Sequence, residues 1–147
     1  MSLSIRNHIP GTVTSVTAGE VMATVKVRLD GGQELTAAIT LEAVKDLGLT
    51  EGSAVRALVK ATEVALATGA VDGLSIRNRL PGTVTDVATG GAMASVKVTV
   101  VGGELTAAVG GELTAAITKE AVTDLGLAAG SSVVALIKST EVSLAGA

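Results

Sequence analysis

The chain has 147 residues, a formal net charge of −3, and no cysteine, phenylalanine, tyrosine or tryptophan. Without cysteine there are no disulfides, thiolate metal sites or cysteine nucleophiles. Nucleic-acid binding relies on clustered basic residues and, for single strands, on aromatic stacking, so the acidic balance and the lack of aromatic rings argue against a nucleic-acid partner.

Short segments of alternating apolar residues in the first half predict four strands. In chain order they are Gly11 to Val16, Val21 to Leu29, Glu34 to Ile39 and Ala54 to Lys60. A helix is predicted after the third strand, with Thr40 as its N-cap, Leu47 as its last residue and Gly48 at its C-cap. Several strands with one short helix predict a mainly β fold, a small OB-like Greek-key β-barrel.

The second half of the chain repeats the first. Leu3 to Asn7 recurs at 74–78, and Pro10 to Thr14 recurs at 81–85. We therefore predict two tandem barrels, each with one short helix, in domains at 1–69 and 73–147. The second domain carries an octapeptide duplication at 102–117. Its later copy, Glu112 to Ile117, is predicted to form the strand because it leads directly into the second helix.

Small size and composition also bear on assembly and location. Domains of about 70 residues without aromatic side chains, disulfides or metals bury little apolar area per residue, so we expect an obligate homo-oligomer. No long apolar stretch follows Met1 to Pro10, so we expect neither a signal peptide nor a membrane span, and a cytoplasmic location.

A set of polar and basic side chains suits a small oxyanion. Ser4 and Arg6 are two positions apart and project from the same face of an extended segment. Arginine offers a planar fork of donors, and Lys60 adds a compact positive charge. Taken singly, Arg6 and Lys60 are expected to be solvated surface charges. Their recurrence favours a shared pocket, and the second set is Ser75, Arg77 and Lys138.

Other candidate residues have two interpretations each. The helix starts at Thr40 and Thr118 would offer backbone N–H groups to an anion, but these threonines are first expected to be ordinary N-caps. Asn7 and Asn78 are first expected to be turn residues that bond their own backbone, with a role in lining an interface site as the second interpretation. His8, the single histidine, has no metal-ligating partners, so a surface or interface position is expected.

No enzymatic motif is present in the sequence. It contains no P-loop, no His-Glu-x-x-His and no nucleophile with a histidine base nearby. We therefore expect a protein without catalytic activity.

Four ordered motifs, each present in both halves, resemble those of Mop domains. They are Ser4-Ile5-Arg6-Asn7, the Gly-Thr-Val turn, Thr40 to Val44 with Leu47-Gly48-Leu49, and Lys60 to Val64. The chain thus resembles the molbindins, tandem pairs of Mop-type molybdate-binding domains. The resemblance implies an OB-like barrel in each half and a trimer of two-domain chains. It further implies molybdate or tungstate bound at subunit interfaces. We expect no cofactor, nucleic acid or membrane as a partner.

The resemblance also implies a set of binding residues and a function. The residues are Ser4, Arg6, Asn7, Thr40, Ala43, Lys60 and Ala61 in the first half, and Ser75, Arg77, Asn78, Thr118, Ala121, Lys138 and Ser139 in the second. The function is storage and homeostasis of the oxyanion. The alternative is a molybdate-sensing regulatory module that acts through a separate partner protein, because Mop-like domains also resemble the sensing parts of molybdate-responsive repressors and transporter ATPases.

Overall fold

Ten strands form two five-stranded antiparallel sheets in the computed structural model, which describes residues 2–101 and 111–147. The first half contains β1 (Asn7–Ala18), β2 (Met22–Leu29), β3 (Glu34–Thr40), α1 (Leu41–Leu47), β4 (Ala54–Val59) and β5 (Ala65–Ala67). The second half contains β6 (Asn78–Thr89), β7 (Met93–Val100), β8 (Glu112–Thr118), α2 (Lys119–Leu125), β9 (Ser132–Ile137) and β10 (Ser143–Gly146). The predicted mainly β fold of two tandem OB-like units is confirmed.

The predicted helix is present with both of its end signals. The Thr40 hydroxyl accepts a hydrogen bond from the Ala43 N–H at 3.1 Å. Gly48 ends the helix at φ 62° and ψ 38°, a left-handed conformation that favours glycine. The second copy has the same caps, Thr118 and Gly126. Each threonine is thus the ordinary N-cap that was its first interpretation.

The first strand is longer than the sequence pattern predicted. β1 pairs with β4 from Asn7 to Thr12 and with β2 from Gly11 to Ala18, so it serves two partners in succession. A β-bulge at Thr14 shifts the register of the β1–β2 pairing between Val13 and Ser15. The prediction of Gly11 to Val16 covered the bulged middle of the strand and missed its two ends, residues 7–10 and 17–18.

Two glycines allow the close approach of β1 to β2 and of β6 to β7. A Cβ atom on Gly11 would lie 2.7 Å from the Arg28 carbonyl oxygen and 2.7 Å from Val27 Cγ1. At Gly82 in β6, the corresponding distance to the Thr99 carbonyl oxygen is 2.6 Å. A side chain at either position would force the strands apart.

One edge strand of each sheet comes from the other half of the chain. The strand order is β10-β4-β1-β2-β3 in one sheet and β5-β9-β6-β7-β8 in the other. Ser143 of β10 pairs with Leu58 of β4, and Ala65 of β5 pairs with Leu136 of β9. This exchange was not predicted from the sequence, and neither sheet is built from one repeat alone.

The core is made of branched aliphatic side chains and crosses between the halves. One buried cluster joins Val13, Val25 and Leu35 to Leu113 and Ile137. Within the described residues, no helix is long and apolar enough to cross a membrane.

The later of the two octapeptide copies supplies a strand of the second sheet. The later copy forms β8, which pairs with β7 as β3 pairs with β2, as predicted. The earlier copy, 102–109, lies outside the described residues.

Candidate functional site

The chain brings Ser4, Arg6 and Lys60 together at one cavity. β4 ends at Val59, which pairs with Asn7, the first residue of β1. The segment that precedes β1 therefore lies beside the segment that follows β4, a 3₁₀ turn at Ala61–Glu63. Between them is a cavity of about 290 Å³, lined by Ser4, Ile5, Arg6, Lys60, Ala61 and Thr62. We call it the first cavity.

The second half builds a matching cavity by the same strand register. Asn78 at the start of β6 pairs with Ile137 at the end of β9. The second cavity has a volume of about 240 Å³ and is lined by Ser75, Ile76, Arg77, Lys138, Ser139 and Thr140. The backbone agrees closely between the copies, with φ −66° and ψ 138° at Lys60 and φ −65° and ψ 139° at Lys138. The two cavities are therefore two versions of one site.

Backbone carbonyls hold the arginine of each cavity in position. Arg6 donates from Nε to the Ser4 carbonyl at 3.0 Å and from Nη2 to the Leu3 carbonyl at 3.3 Å. Arg77 makes the equivalent bonds to Ser75 and Leu74 at 3.0 and 3.2 Å. A guanidinium has five N–H donors, and among the described residues these bonds use only Nε and Nη2, so the Nη1 amino group of each arginine can meet a ligand. The fork is thus oriented before an anion arrives.

Asn7 and Asn78 connect the two halves. The Asn7 side chain is 3% exposed, donating to the Thr114 carbonyl at 2.9 Å and accepting from the Thr114 N–H at 2.8 Å. Asn78 binds both backbone groups of Thr36 at 2.8 and 2.7 Å. The interpretation as turn residues that bond their own backbone is therefore wrong. Each amide fixes the first residue of a strand, β1 or β6, directly after the arginine that lines the cavity.

The structure places Thr40 at a different cavity from Ser4. This third cavity, of about 430 Å³, is lined by Thr40 with Val21, Leu41, Glu20, Glu42, Lys45 and Asp46. Three carboxylates against one ammonium group make it unfavourable for an anion on its own. Ala43 stays with Thr40 through the capping bond, and Thr118 and Ala121 form the equivalent pair. Within one chain, the predicted site residues therefore fall into two separate groups.

His8 and Arg79 occupy equivalent positions behind the two cavities. His8 Nε2 lies 2.7 Å from the Ile5 carbonyl oxygen. Arg79 donates to two carbonyls, to Ile76 at 3.2 Å and also to Leu74. No cluster of three or more metal-ligating side chains occurs among residues 2–101 and 111–147.

Two polar lining residues, Thr62 and Thr140, were not among the predicted site residues. Each lies two positions after the cavity lysine, and each lines the cavity wall. Their signal in the sequence was their recurrence within the Lys60 to Val64 motif.

The chain matches one domain family in both halves and is similar to proteins whose names refer to molybdenum. A model of the TOBE domain matches residues 3–66 and 74–144. The molybdenum transport protein ModE of Herbaspirillum seropedicae is 35% identical over 99% of this chain and 52% of its own length. The molybdenum-pterin-binding protein MopB of Rhodobacter capsulatus is 39% identical over 97% of this chain and 50% of its own length. The chain thus spans about half the length of these curated relatives.

A shorter relative matches one half of the chain, and a solved structure matches the whole chain. Molybdenum-pterin-binding protein 3 of Clostridium pasteurianum is 41% identical over 64 residues, which cover 44% of this chain and 94% of that protein. The crystal structure of the cytoplasmic molybdate-binding protein ModG with molybdate bound is 42% identical, with a TM-score of 0.90 and 100% of both chains covered. These findings confirm the resemblance to tandem Mop-type domains.

Proposed function

Because the chain belongs to the TOBE domain family, we propose that it binds molybdate, or the similar dianion tungstate, and acts without catalysis as a cytoplasmic store of the oxyanion. The observation that carries this proposal is the convergence of a serine, an arginine and a lysine at one cavity in each half. ModG, which is similar over its whole length, is described as a cytoplasmic molybdate-binding protein.

The chemistry of each cavity suits a tetrahedral dianion. Arg6 and Lys60 supply two positive charges, which match the two negative charges of the ligand. Ser4 and Thr62 add hydroxyl groups that donate hydrogen bonds to oxygen atoms. The same four residue types line the second cavity, so each chain would hold two such clusters.

We further propose that the binding sites are completed at subunit interfaces of a trimer. Thr40 and Ala43 lie apart from Ser4 and Lys60 within one chain, so one ligand would meet both groups if neighbouring subunits brought them together. The surface beside Thr40 supports a contact there, because Val21 is 72% exposed and Met22 is 46% exposed. Exposed apolar side chains that lie together on a surface commonly mark an interaction site.

Similarity to ModE favours a second candidate function. The match covers about half of that longer protein, so a related domain occurs there beside another segment. On this alternative, the present chain would sense molybdate and act through a separate partner protein. A partner captured from extract only in the presence of molybdate would favour sensing, whereas the storage proposal expects no such partner.

Calorimetric titration of the purified full chain with molybdate, tungstate and sulfate tests the proposal. We expect saturable binding of molybdate and tungstate. Sulfate is smaller and would leave some donors out of reach, so we expect it to bind much more weakly. A titration in which molybdate gives no binding would overturn the proposed function.

A further inference from the structure

The two cavities differ at a single lining position. Five of their six lining residues are of the same type, and the sixth is Ala61 in the first cavity and Ser139 in the second. The backbone at Lys60 and Lys138 agrees within a degree, so the side chains that line the two cavities differ in type by one hydroxyl group. A difference in affinity between the two cavities must therefore come from this hydroxyl group or from residues that contact the lining residues from outside the cavity.

The Ser139 hydroxyl has an unfilled hydrogen-bonding capacity. Its oxygen is buried and has no hydrogen-bond partner among the described residues. Burial of a hydroxyl without a partner is unfavourable, and a hydroxyl hydrogen rotates to meet an acceptor. An oxyanion in the second cavity would provide that acceptor. Ala61 offers a methyl group at the same place.

A second difference lies behind the loops that carry the cavity arginines. Arg79 ties two carbonyls of the 74–77 loop, at Leu74 and Ile76, whereas His8 contacts one carbonyl of the equivalent loop, at Ile5. The guanidinium also brings a permanent positive charge against the backbone of Ile76, which lines the second cavity. Tighter anchoring and additional charge both favour an anion there.

We propose that the two cavities of each chain bind the oxyanion unequally, the second cavity more tightly, with Ser139 as the residue that sets the difference and Arg79 as a positioning residue. This inference rests on the proposed function. One additional hydrogen bond from a hydroxyl to a charged ligand corresponds to about a tenfold difference in affinity. The second cavities would fill first, and the first cavities would fill as the concentration rises. Two affinities widen the range of concentration over which a store buffers its ligand.

The test is calorimetric titration of full-length variants with molybdate. Arg77→Ala weakens binding at the second cavity and Arg6→Ala weakens binding at the first, so the tighter binding phase of each single variant reports on the cavity that keeps its arginine. We expect the Arg6→Ala protein to bind about tenfold more tightly than the Arg77→Ala protein. Adding Ser139→Ala to Arg6→Ala should remove most of that advantage. Adding Ala61→Ser to Arg77→Ala should raise its affinity by about the same factor.

The exchange variants are well matched, because each copy already shows that the fold accepts the other residue. Thermal unfolding should change little in Ser139→Ala and Ala61→Ser, so a change in affinity would not reflect loss of structure. Equal affinities of the two cavities, unchanged by either exchange, would overturn the inference and leave the proposed function standing. Absence of molybdate binding in the unsubstituted protein would overturn both.

Salt separates the contribution of Arg79 from that of Ser139. In the Arg6→Ala protein, Arg79→His should weaken binding at low ionic strength, and less so at high ionic strength, because salt screens the attraction between the half-buried guanidinium and the anion. Arg79→Lys should restore much of the low-salt affinity by restoring the charge. The effect of Ser139→Ala should be nearly independent of salt. If Arg79→His has no effect at any ionic strength, Arg79 has no part in the difference.

Discussion

Asn7 and Thr114 are 107 positions apart in the chain and are joined by two hydrogen bonds. The Asn7 amide donates to the Thr114 carbonyl at 2.9 Å and accepts from the Thr114 N–H at 2.8 Å. The carboxamide thus makes the pair of hydrogen bonds that the backbone of a neighbouring strand would make. These bonds join the start of β1 in the first half to β8 in the second half. Asn78 and Thr36 repeat the arrangement at a separation of 42 positions.

Removal of this amide should destabilise the whole chain. Asn7→Ala would leave two backbone groups of Thr114 without their partner, at a cost of roughly 1–3 kcal/mol for each group. We expect the free energy of unfolding to fall by about 2–6 kcal/mol, measured by urea denaturation. Thr17→Ala, an exposed substitution in the same strand, serves as the control. An equal response of both variants would contradict this role of Asn7.

Gly11 and Gly82 should tolerate no side chain. Gly11→Ala would place a Cβ atom 2.7 Å from the Arg28 carbonyl oxygen, so the β1–β2 pairing must move. Overpacking of this kind costs about 1–3 kcal/mol, visible as a lower melting temperature. Gly91→Ala is the matched control, because a Cβ there meets nothing within 4 Å. A melting temperature unchanged by Gly11→Ala would show that the strands part easily.

Loss of both cavity arginines should abolish most of the anion affinity and little of the stability. Arg6→Ala with Arg77→Ala removes charge-assisted bonds worth about 1.5–3 kcal/mol, which corresponds to roughly tenfold to hundredfold in affinity per site. Calorimetry with molybdate measures the loss, and thermal unfolding checks the fold. Arg28→Ala, an exposed arginine on β2, should bind as the unsubstituted protein does. Full binding by the double variant would remove these arginines from the site.

Sedimentation should show a trimer in which the folded monomer is not appreciably populated. The exposed apolar side chains next to the helix starts provide the surface, with Val21 72% and Met93 47% exposed. Val21→Asp would place a charge in that contact and should shift the sedimentation coefficient towards smaller species. A stable, folded monomer of the unsubstituted protein at micromolar concentration would contradict the proposed assembly.

Local signals in the sequence were sufficient for much of the fold. The helix α1 was predicted from Thr40 and Gly48 because caps act on their own turn. β2 and β3 were predicted from alternation within a single segment. The candidate site could be predicted in part for a similar reason: Ser4 and Arg6 share a face of one segment, and the recurrence of Lys60 in the second half pointed to a common pocket.

The sequence pattern could not predict which strands and side chains pair between the two halves of the chain. β5 consists of Ala65–Ala67, three residues whose composition does not distinguish a strand from a turn. Its partner β9 belongs to the other repeat, and alternation within a segment says nothing about which edge it joins. The same limit applies to Asn7, since a local interpretation assigned it to its own turn while its partner lies in the other half.

The exchange of β5 and β10 gives the chain the form of a domain-swapped dimer whose two members are fused. An exchange between separate chains depends on protein concentration, whereas the segment between β5 and β6 holds the two repeats at a high effective concentration that dilution does not change. A single repeat would have to recover its closing strand from another copy. The covalent link thus turns a bimolecular step of assembly into a step of folding, and the interlocked pair becomes the smallest unit that can assemble further.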